Sequence, residues 1–207
     1  MENMVDKIKV LEGIVQSMKT IRYGIMDPFY HQTVSEHTMN MVELAPAVLA
    51  EIDVSLDADL VMATILVHDL PEMGMEKDIT SWELEQNPEL EKVKAQIERQ
   101  KINELGEVYG AWIVDLFDEY EGLNTDMALF IRWLDRYESN IYIFRKFEEG
   151  PCKYEWVMEH NAGRLIKATL EFPVMKKIAI RRFEELRPMY EKHEKLDLWY
   201  ELVGRLV

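Results

Sequence analysis

Hydrophobic residues recur along this chain at intervals of three and four positions, the spacing that places them on one face of an α-helix. The pattern runs from Ile8 to Met18 and returns in "TVSEHTMNMVELAPAVLAEI", where Thr33 and Glu36 form a T-x-x-E capping box at the start of a second helix. Pro46 falls inside that helix and should bend its axis. The next segment, "DADLVMATILVHD", is apolar almost all round, which predicts a helix central to the fold.

The remainder of the chain continues the same periodicity. Glu89 to about Glu107 predicts a charged, partly exposed helix whose sparse apolar anchors are Val93, Ile97 and Leu105. "AWIVDLFDEY" predicts a short helix that ends at Gly122. Further helices are expected over residues 125–150, around 154–170, around 173–192 and in the tail "LDLWYELVGRLV". Since no segment alternates with the period of a strand, the pattern predicts an all-α bundle of roughly seven to ten helices.

Two details of this helical pattern concern packing. Trp112, Trp133 and Trp156 lie on apolar stripes, which predicts core positions for all of them. In the tail, one face carries Leu196, Trp199, Leu202, Val203 and Leu206. Two arrangements are open for this face: it packs on the same chain, or it forms a dimer contact.

Length and charge narrow the class of protein. The 207 residues, 48% of them hydrophobic, suffice for one domain with a sizeable core. The formal net charge of -15 repels a phosphate backbone, so a nucleic acid polymer is not the expected ligand. The single cysteine, Cys152, excludes an internal disulfide. Charges interrupt the first apolar residues, and no apolar run is long enough for a bilayer, so we expect a cytoplasmic protein without a membrane segment.

Candidate chemistry begins where the third apolar segment ends in a histidine and an acid, His68 and Asp69. By itself, such a pair is as well explained by a core histidine beside a helix-end acid. His37 opens another helix, however, and Asp135 lies at the margin of the buried stripe in a third. Two imidazoles and two carboxylates suit a divalent metal ion such as Mn, Co, Zn, Fe or Mg. The positive charge of the ion would also offset the carboxylates in an acidic protein.

In this order, His37, then His68-Asp69, then Asp135, the chain resembles the HD-domain phosphohydrolases, all-helical enzymes that hydrolyse phosphate esters of nucleotides and related metabolites. "IRYG" before "VSEHT", then "HDLPE" and a further Asp, is similar to the 5′-deoxynucleotidase branch of that family. The motif-bearing part runs from about Arg22 to Glu138. We therefore expect a single HD-type domain over residues 1–207, with a motif core at 22–138 and C-terminal helices at 154–207.

The resemblance implies a role for each matching residue. The metal ligands would be His37, His68, Asp69 and Asp135. Arg22 would bind the substrate phosphate, as the fork of a guanidinium suits a tetrahedral anion. Glu72, one helical turn after Asp69, would position or activate the attacking water or protonate the leaving sugar oxygen, so that Glu72 and Asp69 count as catalytic residues.

The nucleoside side of the implied site departs from the family pattern. Asp78 aligns with an Asp that contacts the sugar and the leaving group, and it is counted here as both catalytic and substrate-binding. The spacing from Glu72 to Asp78 is one residue longer than usual, however, and Lys77 replaces a Gly. Tyr23, a substrate-binding candidate, stands where Trp is common.

Three functions are compatible with these residues. The first is a phosphomonoesterase that removes the 5′-phosphate from deoxynucleoside or nucleoside monophosphates, with a homodimer implied by the resemblance. The second uses the same metal as a dNTP triphosphohydrolase or a nucleotide pyrophosphohydrolase. The third is a non-catalytic module that retains the metal and binds a nucleotide or a partner protein without turnover.

Overall fold

The computed structural model describes residues 20–22, 31–72, 79–149 and 155–207. Over these residues it is almost entirely helical, which confirms the all-α prediction. The helices, named here in chain order, are α1 (Val34–Leu49), α2 (Ala58–His68), α3 (Ser81–Gln86), α4 (Glu89–Tyr109), α5 (Trp112–Gly122), α6 (Asp126–Glu149), α7 (Glu155–Glu171), α8 (Lys176–Lys192) and α9 (Leu196–Gly204). Short 3-10 helices cover Leu70–Glu72 and Pro173–Met175. The helix predicted from Ile8 to Met18 lies outside the described residues.

A two-stranded ladder precedes α1. Strands β1 (Ile21–Arg22) and β2 (Gln32–Thr33) pair in antiparallel register, with Ile21 opposite Thr33 and Arg22 opposite Gln32. Sequence patterning did not predict this ladder, because two residues are too few to show an alternation. The side chains of Arg22 and Gln32 are both buried, so the ladder directs one arginine into the protein interior.

The predicted capping box at the start of α1 is confirmed. The backbone N–H of Glu36 donates to Thr33 Oγ1 at 3.1 Å, and the backbone N–H of Thr33 donates to Glu36 Oε2 at 2.7 Å. These bonds satisfy donors that the first helical turn leaves without a partner. Because β2 leads straight into this cap, His37 is fixed one turn inside α1 and is fully buried.

The chain divides into two compact units. The first comprises Met1–Val42 and Asp59–Gly122. In it, Val67 of α2 packs in one apolar cluster with residues of α4 and α5, namely Ile102, Leu105, Ile113, Leu116 and Phe117. Burial of these side chains supplies the hydrophobic free energy that holds the end of α2 in place. Leu66, on another side of α2, is half exposed. The expectation that this helix is central to the fold and packed on all sides is therefore wrong.

Two further expectations for the first unit are wrong. Val93 is 45% exposed and does not anchor α4. It precedes the buried Ile102 by nine positions, about two and a half helical turns, and therefore lies on the opposite face. Trp112 is 51% exposed, because it begins α5 and its Nε1–H donates to the carbonyl of Tyr109 rather than entering the core.

The second unit comprises Glu43–Ala58 and Leu123–Val207. Its central helix is α6, where Trp133 is fully buried as predicted and donates from Nε1 to Thr169 Oγ1 at 2.9 Å. In the tail, Trp199 is buried and donates to the carbonyl of Phe183 on α8 at 2.8 Å. The apolar face of the tail therefore packs on its own chain. That the chain forms one domain stays a prediction.

A buried polar network joins three helices of the second unit. Asn140 donates from Nδ2 to Asn161 Oδ1 at 3.0 Å and accepts on Oδ1 from Arg182 Nε at 3.0 Å. Both asparagines are buried, so each hydrogen bond satisfies a group that would otherwise lose its solvation. No helix of the described part of the chain is long and apolar enough to cross a membrane.

Candidate metal centre

His68 is the last residue of α2, and its side chain is buried. Pro71 follows within the 3-10 turn, which ends the helix at this point because proline cannot donate to the helical ladder. His68 Nδ1 lies 2.6 Å from the carbonyl oxygen of Ile65. A carbonyl only accepts, so Nδ1 carries the proton and Nε2 carries the lone pair. This bond to a second partner fixes the tautomer that a metal ligand requires.

Asp69 Oδ2 is the point on which the predicted residues of the first unit converge. Its distances are 3.3 Å to His68 Nε2 and 3.6 Å to His37 Nε2. On the other side, Arg22 Nη1 donates to the same oxygen at 2.8 Å. The structure therefore brings together Arg22, His37, His68 and Asp69, four residues predicted from sequence to share one site.

Aromatic contacts hold the histidine pair. The imidazole rings of His37 and His68 lie 5.6 Å apart between centroids. The ring of Tyr120, a buried residue of α5, packs edge-on against His68 at 5.5 Å. Since Tyr120 limits the ring orientation of His68, it acts as a supporting residue that the sequence patterning had assigned only to a short apolar helix.

The electrostatics of this cluster favour a cation. Burial of Asp69 opposes its ionisation, but the interactions with His68 and with the charged guanidinium of Arg22 outweigh that effect and hold the pKa of Asp69 well below its usual range. Asp69 is thus an anion at neutral pH. Its carboxylate oxygen faces the Nε2 atom of His68, which is buried and makes no hydrogen bond within the described residues. A lone pair beside an anionic oxygen is destabilising in a buried site unless a cation lies between them, so the residues present fit a metal ion.

The fourth predicted ligand, Asp135, belongs to the second unit. It lies on α6, where its carboxylate is buried and Arg136 Nη1 approaches Oδ2 at 3.0 Å. The side chain of Arg136 is itself only 16% exposed. His37, His68 and Asp135 are all buried, and they offer two ring nitrogens and a carboxylate, ligand types that a divalent ion accepts.

Glu72 ends the 3-10 turn that follows Asp69 and is buried rather than solvated. Its Oε1 accepts from Lys94 Nζ of α4 at 2.6 Å. Lys94 Nζ also lies 3.4 Å from Glu98 Oε1, one turn further along α4. Sequence patterning missed Lys94 and Glu98, because a highly charged helix reads as a solvated surface and the pair with Glu72 spans 22 positions.

The two remaining predicted site residues, Asp78 and Tyr23, lie outside the described residues. The predicted nucleoside contacts therefore stay predictions.

Residues 17–173 match the family model described as HD domain. No curated protein matches the sequence significantly. Among solved structures, the chain is similar to a predicted metal-dependent phosphohydrolase from Magnetospirillum magnetotacticum MS-1, with a TM-score of 0.64 and 19% sequence identity. That alignment covers 99% of this chain and 97% of the other, and at this identity it shows a shared fold.

Proposed function

Because the chain belongs to the HD domain family, we propose that the protein is a metal-dependent phosphohydrolase whose ion is held by His37, His68, Asp69 and Asp135. One observation carries the proposal: a guanidinium and two imidazoles converge on a single carboxylate oxygen, that of Asp69. A metal ligand set beside an arginine that can bind an anion is an arrangement suited to phosphate hydrolysis. The structural neighbour is described with the same activity.

The metal centre has a defined chemical task. When bound, a divalent ion supplies Lewis acidity and lowers the pKa of coordinated water toward neutrality. His68 presents the Nε2 lone pair because Nδ1 is committed to the Ile65 carbonyl. Asp69 is kept ionised by the surrounding positive charge and so remains a ligand over the physiological pH range.

Arg22 and Glu72 act on the substrate and on water. Arg22 is buried at the ladder, and its Nη1 already donates to a carboxylate oxygen, a partner that resembles a phosphate oxygen in charge and geometry. In the proposed mechanism, Arg22 binds the phosphate and orients the phosphorus for attack. Glu72, held by Lys94, accepts a hydrogen bond from the attacking water and directs its lone pair to phosphorus.

The substrate class follows from the resemblance of the sequence motifs to the 5′-deoxynucleotidase branch. We infer that the protein removes the 5′-phosphate from deoxynucleoside or nucleoside monophosphates, releasing nucleoside and orthophosphate. A strongly acidic chain suits a small substrate better than a nucleic acid polymer. Asp78 and Tyr23 are the residues proposed to contact the nucleoside.

The test is a product analysis. The purified protein is incubated with ribo- and deoxynucleoside mono-, di- and triphosphates, in the presence of Mn, Co, Zn, Mg or EDTA, and the products are separated by chromatography. Metal-dependent release of nucleoside and orthophosphate from monophosphates supports the proposal. Turnover of triphosphates alone, to tripolyphosphate or pyrophosphate, would instead make the protein a triphosphohydrolase or pyrophosphohydrolase.

The remaining outcome concerns a protein without turnover. If no substrate is cleaved under any metal, while a nucleotide raises the melting temperature of the metal-loaded protein, the chain is a binding module and the catalytic proposal is wrong. His68→Ala supplies the internal control for the assay, because activity that survives this substitution cannot come from the proposed centre.

A further inference from the structure

A single lysine of α4, Lys94, is shared by two carboxylates, one of which belongs to Glu72. Lys94 Nζ lies 2.6 Å from Glu72 Oε1 and 3.4 Å from Glu98 Oε1. All three side chains are largely shielded from solvent, with exposures of 18% for Lys94, 12% for Glu72 and 16% for Glu98. By contrast, the side chains of Lys92 and Glu89, an ion pair near the start of α4, are 74% and 79% exposed. The Lys94 group is therefore of a different kind from the helix-surface pairs around it.

The charges in this group do not balance when every residue is ionised. Glu72, from the 3-10 turn, and Glu98, from α4, face one ammonium group, and Glu121 of α5 adds a third negative charge nearby. Burial is the main cause that raises the pKa of Glu98, to about 7, with Glu72 and Glu121 adding to the rise and Lys94 opposing it. Glu98 thus changes its charge near neutral pH, in contact with the lysine that holds Glu72.

We propose that Lys94 is a positioning residue that holds the Glu72 carboxylate for the attacking water, and that Glu98 competes for the same ammonium group. This inference rests on the proposed hydrolase function and deepens it. While Glu98 is neutral, the positive charge of the ammonium group is not shared with a Glu98 carboxylate, and Glu72 is held firmly. Once Glu98 is ionised, the ammonium is shared and Glu72 is held less firmly.

The contact between α4 and the 3-10 turn explains why Lys94 can serve this role. Further along α4, Ile102 and Leu105 pack in the apolar cluster that includes Val67 of α2. The same packing that holds the end of α2 therefore holds α4, the helix that carries Lys94. A residue anchored in this way constrains the direction of Glu72 more strictly than a flexible surface lysine would.

The experiment compares Lys94→Met, Lys94→Arg and Glu98→Gln with the wild type, using the nucleotide that the wild type hydrolyses best. For Lys94→Met we expect kcat to fall roughly tenfold with KM changed less than about twofold, because Glu72 loses its orientation while Arg22 still binds phosphate. Lys94→Arg should recover most of kcat. Lys92→Met, which removes an exposed lysine from the same helix, should leave both constants unchanged.

The pH dependence of kcat distinguishes the proposed competition from a purely structural role of Lys94 and Glu98, because a structural role would not change with pH in this range. The ratio of kcat for Glu98→Gln to kcat for the wild type should be near one at pH 5.5 and rise to about threefold at pH 8.5, since ionised Glu98 is the competitor that the substitution removes. Metal content, measured by mass spectrometry, should be the same in all variants.

The outcomes separate this inference from the function on which it rests. An inactive wild type would overturn both. An active wild type with an unchanged kcat in Lys94→Met, or with a pH-independent ratio for Glu98→Gln, would overturn the inference alone. If Lys94→Met fails to fold, two other measurements test the inference. One is the pH dependence of the kcat ratio for Glu98→Gln, and the other is whether kcat is higher in Lys94→Arg than in Lys94→Gln.

Discussion

Arg22 and Asp69, 47 positions apart in the sequence, are joined by a hydrogen bond of 2.8 Å between Nη1 and Oδ2. One partner is the proposed phosphate-binding residue, and the other is a proposed metal ligand. The pair is largely buried, so each charge depends on the other for stabilisation. A phosphate group arriving at the metal would offer Arg22 an alternative anion, and the guanidinium could pass from carboxylate to phosphate without losing a charged partner.

Replacement of Arg22 should therefore separate substrate binding from metal binding. For Arg22→Gln we expect kcat/KM to fall about 100-fold, the range expected for the loss of charge-assisted hydrogen bonds to phosphate. Metal content should not decrease, because Asp69 loses a competing cation. Arg99→Gln is the matched control, since Arg99 pairs with Asp118 at the half-exposed surface. A loss of metal in Arg22→Gln would contradict the assigned role.

His68→Ala, unlike Arg22→Gln, should reduce metal binding. Removal of a ligand nitrogen is expected to weaken metal affinity by more than about tenfold and to abolish activity. The measurement is metal stoichiometry after gel filtration, together with turnover of the preferred nucleotide. His193→Ala serves as the control, because His193 packs its ring against Phe147 in the second unit. Full metal content and full activity in His68→Ala would show that the centre is wrongly assigned.

Metal removal should reduce both activity and stability. Because the ligands come together only in the folded chain, an ion at 100 times its dissociation constant should stabilise the native state by about 2.7 kcal/mol. Treatment with EDTA should lower the melting temperature by several degrees, and addition of Mn, Co, Zn, Fe or Mg in turn should restore it to different extents. The ion that restores both stability and turnover identifies the preferred metal. Unchanged melting under chelation would argue against a bound ion.

Because Glu98 titrates near neutral pH, Glu98→Gln should increase the free energy of unfolding by an amount that depends on pH. This prediction can be tested without an enzyme assay. The pKa of Glu98 is raised from 4.5 to about 7, so the folded state binds the proton more tightly than the unfolded state does. The ionised group therefore destabilises the fold by an amount that is absent below about pH 4.5 and grows until about pH 7.

Glu98→Gln removes this penalty. Urea denaturation should show no change in the free energy of unfolding at pH 4.5 and a stabilisation of about 2–3 kcal/mol at most at pH 8. Glu104→Gln is the control on α4, because the side chain of Glu104 is 43% exposed. This variant should show no increase in the free energy of unfolding at pH 8. A gain that does not vary with pH would contradict the assignment to Glu98.

Asn140→Ala tests the polar network of the second unit. The substitution leaves Asn161 without its donor and Arg182 Nε without its acceptor, so the free energy of unfolding should fall by about 3 kcal/mol. Denaturation of Asn103→Ala, which removes an exposed asparagine from α4, should differ little from the wild type. Equal stability of Asn140→Ala and the wild type would show that the network contributes little.

Much of the fold and of the site follows from local patterns. The helices obey a spacing of three and four residues, and the Thr33 capping box marks one helix start without reference to the rest of the chain. His68 and Asp69 could be singled out because an apolar run ends in two residues of metal-binding type. The order of these motifs supplied the family.

What could not be predicted depends on residues that are distant in sequence. The pairing of Lys94 with Glu72 spans 22 positions, and nothing in the local sequence distinguishes Lys94 from the exposed Lys92. The ladder that directs Arg22 inward contains only two residues per strand. Trp112 shows that a local pattern can also mislead. Its place on an apolar stripe predicted a core position, but it begins α5 and its ring is half exposed.

The bond from His68 Nδ1 to the Ile65 carbonyl has an evolutionary consequence. Because the acceptor is a main-chain atom, the proton on the imidazole is assigned by the helix itself and not by any side chain. Mutational drift at position 65 can exchange one apolar residue for another without altering which nitrogen is available. The tautomer of His68 is thereby inherited with the backbone, and only a change that deforms the last turn of α2 could reverse it.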